Sequence, residues 1–178
     1  MRSLLICLSL VAAPLFAQDA EPEITPQEPA MTAARLGAIL LTVDPEAVQR
    51  GIAIELTISD VPIMVIVDEQ ADRMRAMVPI RSAEGIEPEE LQRMMQANFD
   101  TALDARYAVA QGRVWGTYIH PLSPLEHEQL LSGLIQTVNL ARSYGQTYSG
   151  GALHFGGGDS NEIFRDLLSE LLKKGEAL

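Results

Sequence analysis

The chain has 178 residues, with 13 basic and 24 acidic side chains, a formal charge of −11 and a single cysteine, Cys7. A surface this acidic repels phosphate backbones and anionic headgroups, which sets nucleic-acid binding aside. One cysteine excludes an internal disulfide and a cysteine-built metal centre.

Arg2 is followed by an apolar stretch from Leu4 to Phe16, broken only by Ser9 and Pro14, and then by Ala17 and the polar run Gln18-Asp19-Ala20-Glu21. That is the layout of a secretory signal peptide, residues 1–17, cleaved after Ala17, so the expected location is periplasmic or secreted. The apolar run is short for a membrane-spanning helix, which needs roughly 20 residues. No membrane span is therefore expected after cleavage, with retention as an anchor the alternative. Cleavage removes Cys7 and Arg2, leaving a cysteine-free chain of a size that suits one domain. Residues 18–30 (QDAEPEITPQEPA) hold three prolines and four acidic residues and read as a disordered linker.

The expected α+β domain occupies residues 31–148. Thr32 to Leu41 is a good helix former with apolar Leu36, Ile39 and Leu40, and Asp44-Pro45 suits a short helical turn through Val48. The period then changes to two. Ile52, Ile54, Leu56 and Ile58 alternate with Ala53, Glu55 and Thr57; Pro62 to Val67 is densely apolar; Arg73 to Ile80 alternates again. Three strands joined by polar turns make an antiparallel meander.

Glu87-Pro88-Glu89-Glu90 opens a helix with acidic residues at its positive end, and Leu91, Met94, Met95, Phe99 and Ala102 form the stripe expected to be buried. Ala105 to Ala110 and Arg113 to Ile119 are two short strands around a Gln111-Gly112 turn. Ser123-Pro124-Leu125-Glu126 has capping-box spacing and starts a long helix running to about Tyr144, with Leu131, Leu134, Val138 and Ala141 buried and Gly145 ending it. A glycine-rich loop, 149–158, leads to an amphipathic helix over 159–178 with Ile163, Phe164, Leu167, Leu168 and Leu171 on its apolar face. The order is helix, three strands, helix, two strands, long helix and terminal helix: an antiparallel sheet of about five strands with segregated helices.

No catalytic constellation emerges, and neither a cofactor nor a metal is expected. His127-Glu128 lacks the second histidine of a zinc-protease helix, because Leu131 stands four residues on. His120 and His154 are isolated in the sequence, and Asp100 and Asp104 read as solvated carboxylates. The glycine-rich loop lacks the Gly-Lys-Ser/Thr ending of a phosphate loop, and no serine sits in a Gly-x-Ser-x-Gly elbow. Methionines cluster on the central strands, and their adaptable side chains suit either core filling or a surface accepting varied apolar peptides. Met64, Met77 and Trp115 are the candidate partner-binding residues of the strands. Phe164, Leu167 and Leu171 are those of the terminal helix, which either docks on its own domain or presents its leucines to a partner.

From about Leu36 to Gly145 the chain resembles the type III secretion chaperone-like fold, including its YbjN-type relatives. The resemblance lies in the element order, in LQRMMQANFDTAL from Leu91 to Leu103, in Arg106-Tyr107-Ala108-Val109 and Arg113-Val114-Trp115, and in Pro121-Leu122-Ser123-Pro124-Leu125. It implies a non-enzymatic protein, often a homodimer, that holds an extended segment of a protein or peptide client and needs no cofactor. The signal peptide departs from that pattern. A small envelope structural or regulatory factor acting through the terminal helix is the alternative.

Overall fold

The computed structural model describes residues 28–100, 103–145 and 160–175. It is an α+β fold: α1 (Ala33–Val43), β1 (Val48–Arg50), β2 (Ala53–Ile58), β3 (Val61–Asp68), β4 (Arg73–Ser82), α2 (Pro88–Asp100), β5 (Arg106–Ala110), β6 (Arg113–Pro121), α3 (His127–Arg142) and α4 (Ser160–Gly175). The strands form one six-stranded antiparallel sheet in the order β1-β2-β3-β4-β6-β5. The expected signal peptide (1–17), the expected linker up to residue 27 and the expected glycine-rich loop 149–158 lie outside the described residues.

Period-two patterning places Ile54, Leu56 and Ile58, Ile63, Val65 and Val67, and Met74, Ala76 and Val78 on one buried face. Helices α1 and α3 cover that face, and α4 lies against both. Helix α3 approaches β6 closely because glycines stand at the contact. A Cβ at Gly133 would lie 2.3 Å from the Tyr118 ring, and one at Gly116 would lie 3.1 Å from the Thr137 carbonyl.

Two hairpins turn on two-residue loops with both φ angles positive: Ser59-Asp60 (50° and 65°) and Gln111-Gly112 (51° and 69°). This left-handed pair matches the twist of the flanking strands. Pro79 sits inside a central strand, where a missing N–H would break the ladder, and the register shifts beside it between Pro79 and Arg81. The bulge accommodates the proline.

Five local expectations are corrected. Val48 opens strand β1 (Val48–Arg50) rather than ending a helical turn. The Asp44 carboxylate accepts the Glu46 and Thr57 amides at 2.9 and 2.7 Å, which turns the chain back along β2. Ile52 lies in the β1–β2 turn, 69% exposed, and is not a core strand residue. The long helix starts at His127 with Glu126 as its N-cap, and Gln129 accepts the Glu126 amide. Ser123 is instead held by the Asp72 carboxylate through its amide (2.7 Å) and hydroxyl (2.9 Å), while Leu122 and Leu125 plug into the core. The end of the expected linker is ordered: Glu28 pairs with Arg35 at 2.6 Å and accepts the His127 amide at 3.1 Å, a carboxylate at the positive end of α3.

The fifth correction concerns α2. Met94 and Ala97 are buried, but Leu91, Met95 and Phe99 are not, and Phe99 is 82% exposed. The helix lies beside the edge strand β5 rather than across the sheet. The Asn98 amide bonds both the N–H (2.7 Å) and the C=O (3.1 Å) of Tyr107, turning the 94–97–98 side of α2 onto that edge. Ala102 lies outside the described residues.

Candidate functional site

The face of the sheet opposite α1 and α3 carries no helix among the described residues, and its side chains can be read row by row from the strand register. Glu55, Met64, Met77, Thr117 and Arg106 form one row. Ala53, Ile66, Arg75 and Ile119 form the next on one side. On the other side, Thr57 pairs with Pro62, and Pro79 with Trp115, which pairs in turn with Ala108. An apolar stripe therefore runs from Ile66 through Met64 and Met77 to Pro62, Pro79 and Trp115, with Arg75 standing between Ile66 and Ile119.

Of the residues expected to meet a partner, the structure brings Met64, Met77 and Trp115 together on this stripe, each half-buried. Leu171 is corrected: it is 3% exposed and part of the chain's own core, with Leu168 and Leu172 packed against the same core. Helix α4 docks on α1 and α3, so Leu171 is unavailable to a partner. The side chains of Phe164 and Leu167 lie outside the described residues. Sequence reading passed over Pro79, and it passed over Pro62 and Ile66 although the outward positions of the 62–67 run are apolar as well as the inward ones. That two-sided apolarity was the available signal.

At one end of the stripe is a groove of about 350 Å³ with Pro62, Met64, Pro79 and Trp115 among its lining residues. Asp44, Glu46 and Glu55 also line it, and among the described residues no lysine or arginine does. Glu55 pairs with the exposed Arg50 at 3.1 Å. The indole of Trp115 donates to the Ala110 carbonyl at 3.0 Å, and Arg113 lies 6.0 Å from its ring centroid. These contacts hold the ring against the β5–β6 hairpin. At the far end of the sheet, Arg73 and Arg75 are exposed.

A second, more polar cleft of about 540 Å³ opens beside β6, where β5 stops short, among Asp104, Arg106, Tyr118, His120, Glu126 and Glu128. The rings of His120 and Tyr118 stack at 5.9 Å, and His120 Nδ1 faces the Pro121 carbonyl at 2.7 Å. Burial pushes the Tyr118 hydroxyl up to about 12, the Asp104 charge adding to the effect. His127 sits on α3 outside this cleft, its Nε2 enclosed and without a hydrogen-bond partner among the described residues. Among the described residues, no group of three or more His, Cys, Asp and Glu side chains could hold a metal ion, and no helix is long and apolar enough to cross a membrane.

A further exposed apolar surface is the line Leu91, Met95, Phe99 on α2, with Val109 of the edge strand also exposed. The α2 residues stand at i, i+4 and i+8, along one side of the helix.

No protein-family model and no curated protein matches the sequence. Solved structures do resemble the fold. The Yersinia pestis type III secretion chaperone SycH, in complex with a stable fragment of YscM2, is similar at 16% identity and a TM-score of 0.49, over 64% of this chain and 100% of that one. The HopA1–SchA chaperone–effector complex is similar at 11% identity and a TM-score of 0.44, over 54% of this chain and 77% of that one. The ExsC–ExsE complex is similar at 11% identity and a TM-score of 0.42, over 55% and 77% respectively.

Proposed function

We propose that this chain is an exported, non-enzymatic protein-binding module that receives an extended segment of another protein on the open face of its sheet. The observation that carries this reading is the apolar stripe from Ile66 through Met64 and Met77 to Trp115, on the face that α1 and α3 leave uncovered. Contiguous apolar surface costs free energy in water and marks interaction sites. Methionines suit a surface that must accommodate more than one side-chain pattern. Export rests on the layout of residues 1–17, and the YbjN-type kinship on the sequence resemblance; both are part of the proposal.

A second surface favours self-association. The α2 line has Met95 at its centre, flanked by Leu91 and Phe99. Two such helices crossing antiparallel about a two-fold axis would set Met95 against Met95 and Leu91 against Phe99, which is the self-complementarity a homodimer requires. The envelope-factor alternative, acting through the terminal helix, is weakened by the burial of Leu171.

The test is affinity capture from envelope extract with mass-spectrometric identification, using the wild type beside Met77→Glu and Met95→Glu. The reading expects the protein partner to be lost with Met77→Glu and kept with Met95→Glu. A partner kept by both, or lost only with Met95→Glu, would move the binding site off the sheet.

A further inference from the structure

The groove at the Trp115 end of the stripe has a chemistry that narrows what it receives. Resting on the reading of the open face as a protein-binding surface, we propose that this groove takes a segment carrying a lysine or arginine next to apolar side chains. Its apolar floor is Pro62, Met64, Pro79 and Trp115, and its charged lining among the described residues is carboxylate only. Glu46 makes no ion pair among the described residues, and Glu55 has only the exposed Arg50 as partner. Asp44 keeps its position through the Glu46 and Thr57 amides, neither of which carries a positive charge.

An incoming cation can meet two or three carboxylates at the rim while its aliphatic stem lies along the prolines and the methionine, as long basic side chains do over apolar surface. A neutral apolar segment would fill the floor and leave Asp44 and Glu46 without a counter-charge. An acidic one would face like charge across a surface where such juxtapositions are costly. The chain's own segment QDAEPEITPQEPA, with four acidic residues and no basic one, belongs to the last class. The occupant is therefore a basic, apolar stretch of a different protein.

Trp115 is the only tryptophan, so its emission reports the groove directly. The purified full chain would be titrated with three short synthetic peptides in which leucine alternates with lysine, with serine or with glutamate. The lysine peptide is expected to shift Trp115 emission at the lowest concentration and to weaken as salt is added. Exposed ion pairs are individually weak, so the pair Glu46→Gln and Glu55→Gln is expected to lower that affinity roughly two- to thirty-fold. Glu89→Gln with Glu128→Gln, which removes the same charge from α2 and α3, is expected to leave it nearly unchanged. Equal binding of all three peptides, or equal weakening by both pairs of substitutions, would overturn the charge preference and leave the open-face reading standing. A Trp115 emission that responds to none of the peptides would overturn both.

Discussion

Replacing Gly133 with alanine tests how α3 is seated on the sheet. In an ordinary helix interior the change gains about 1 kcal/mol. Here the new Cβ would stand 2.3, 2.5 and 2.7 Å from Cε1, Cδ1 and Cζ of Tyr118. Unstrained carbon contacts need about 3.5–4.0 Å, so ring and helix must separate by roughly 1 Å. Tyr118 is 4% exposed, and its strand is paired with β4 throughout, while β5 stops one residue short of it. Overpacking such a site costs about 1–3 kcal/mol, and a separation this large belongs at the upper end. Set against the helix gain, a net loss of about 2 kcal/mol follows. For a domain of this size that lowers Tm by roughly 5–10 °C. Thermal and urea unfolding followed by far-ultraviolet circular dichroism would read it. In a Tyr118→Leu background, which removes the ring, the same substitution should become neutral or stabilising. A Tm for Gly133→Ala at or above wild type would refute the packing described.

Gln136→Leu should cost about 2–3 kcal/mol in urea unfolding, because the Gln136 Oε1 accepts the amides of Asp104 and Ala105 at 2.7 and 3.0 Å, and Ala105 is buried. Met95→Glu should convert a dimer to a monomer in sedimentation velocity with unfolding little changed; a wild type that is monomeric at every concentration tested would contradict the α2 interface. Alkali should destabilise the fold in a defined window. Burial raises the hydroxyls of Tyr107 and Tyr118 from 10.0 to about 12, so the folded state favours their neutral forms. That contribution is fully present below pH 10, declines between about pH 10 and 12, and is gone above. Tyr107→Phe, which also removes the 2.9 Å bond from its hydroxyl to the Leu140 carbonyl, should flatten part of the decline in a pH series of urea midpoints.

Strands β2, β3 and β4 and the β5–β6 hairpin were legible because period two and turn residues are local signals. The inward set Met74, Ala76 and Val78 follows from alternation alone. What escaped depends on partners distant in sequence. Strand β1 is a strand because Asp44 caps Thr57 from 13 residues away. Ser123-Pro124-Leu125-Glu126 has the spacing of a cap, yet Asp72, 51 residues earlier, holds the serine, and the helix begins at His127. The apolar positions of α2 could be counted, but which of them face inward is decided by Asn98 on the backbone of Tyr107. For the same reason Met64, Met77 and Trp115 could be named as candidates from composition and parity, whereas Pro79 and the acidic rim became visible only once three strands and the Asp44 turn were side by side. Leu171 has an amphipathic pattern that serves docking in cis and in trans equally, and only the positions of α1 and α3 decide between them.

The most direct test of the open sheet face as a binding surface is site-specific photo-crosslinking in cells producing the full chain. A benzophenone amino acid would be placed singly at Met64 and Met77 on the open face, and at the exposed Leu41 on α1. The account predicts one shared protein adduct from positions 64 and 77 and none of that species from position 41. Adducts confined to position 41, or none at either methionine while a partner still co-purifies, would contradict it.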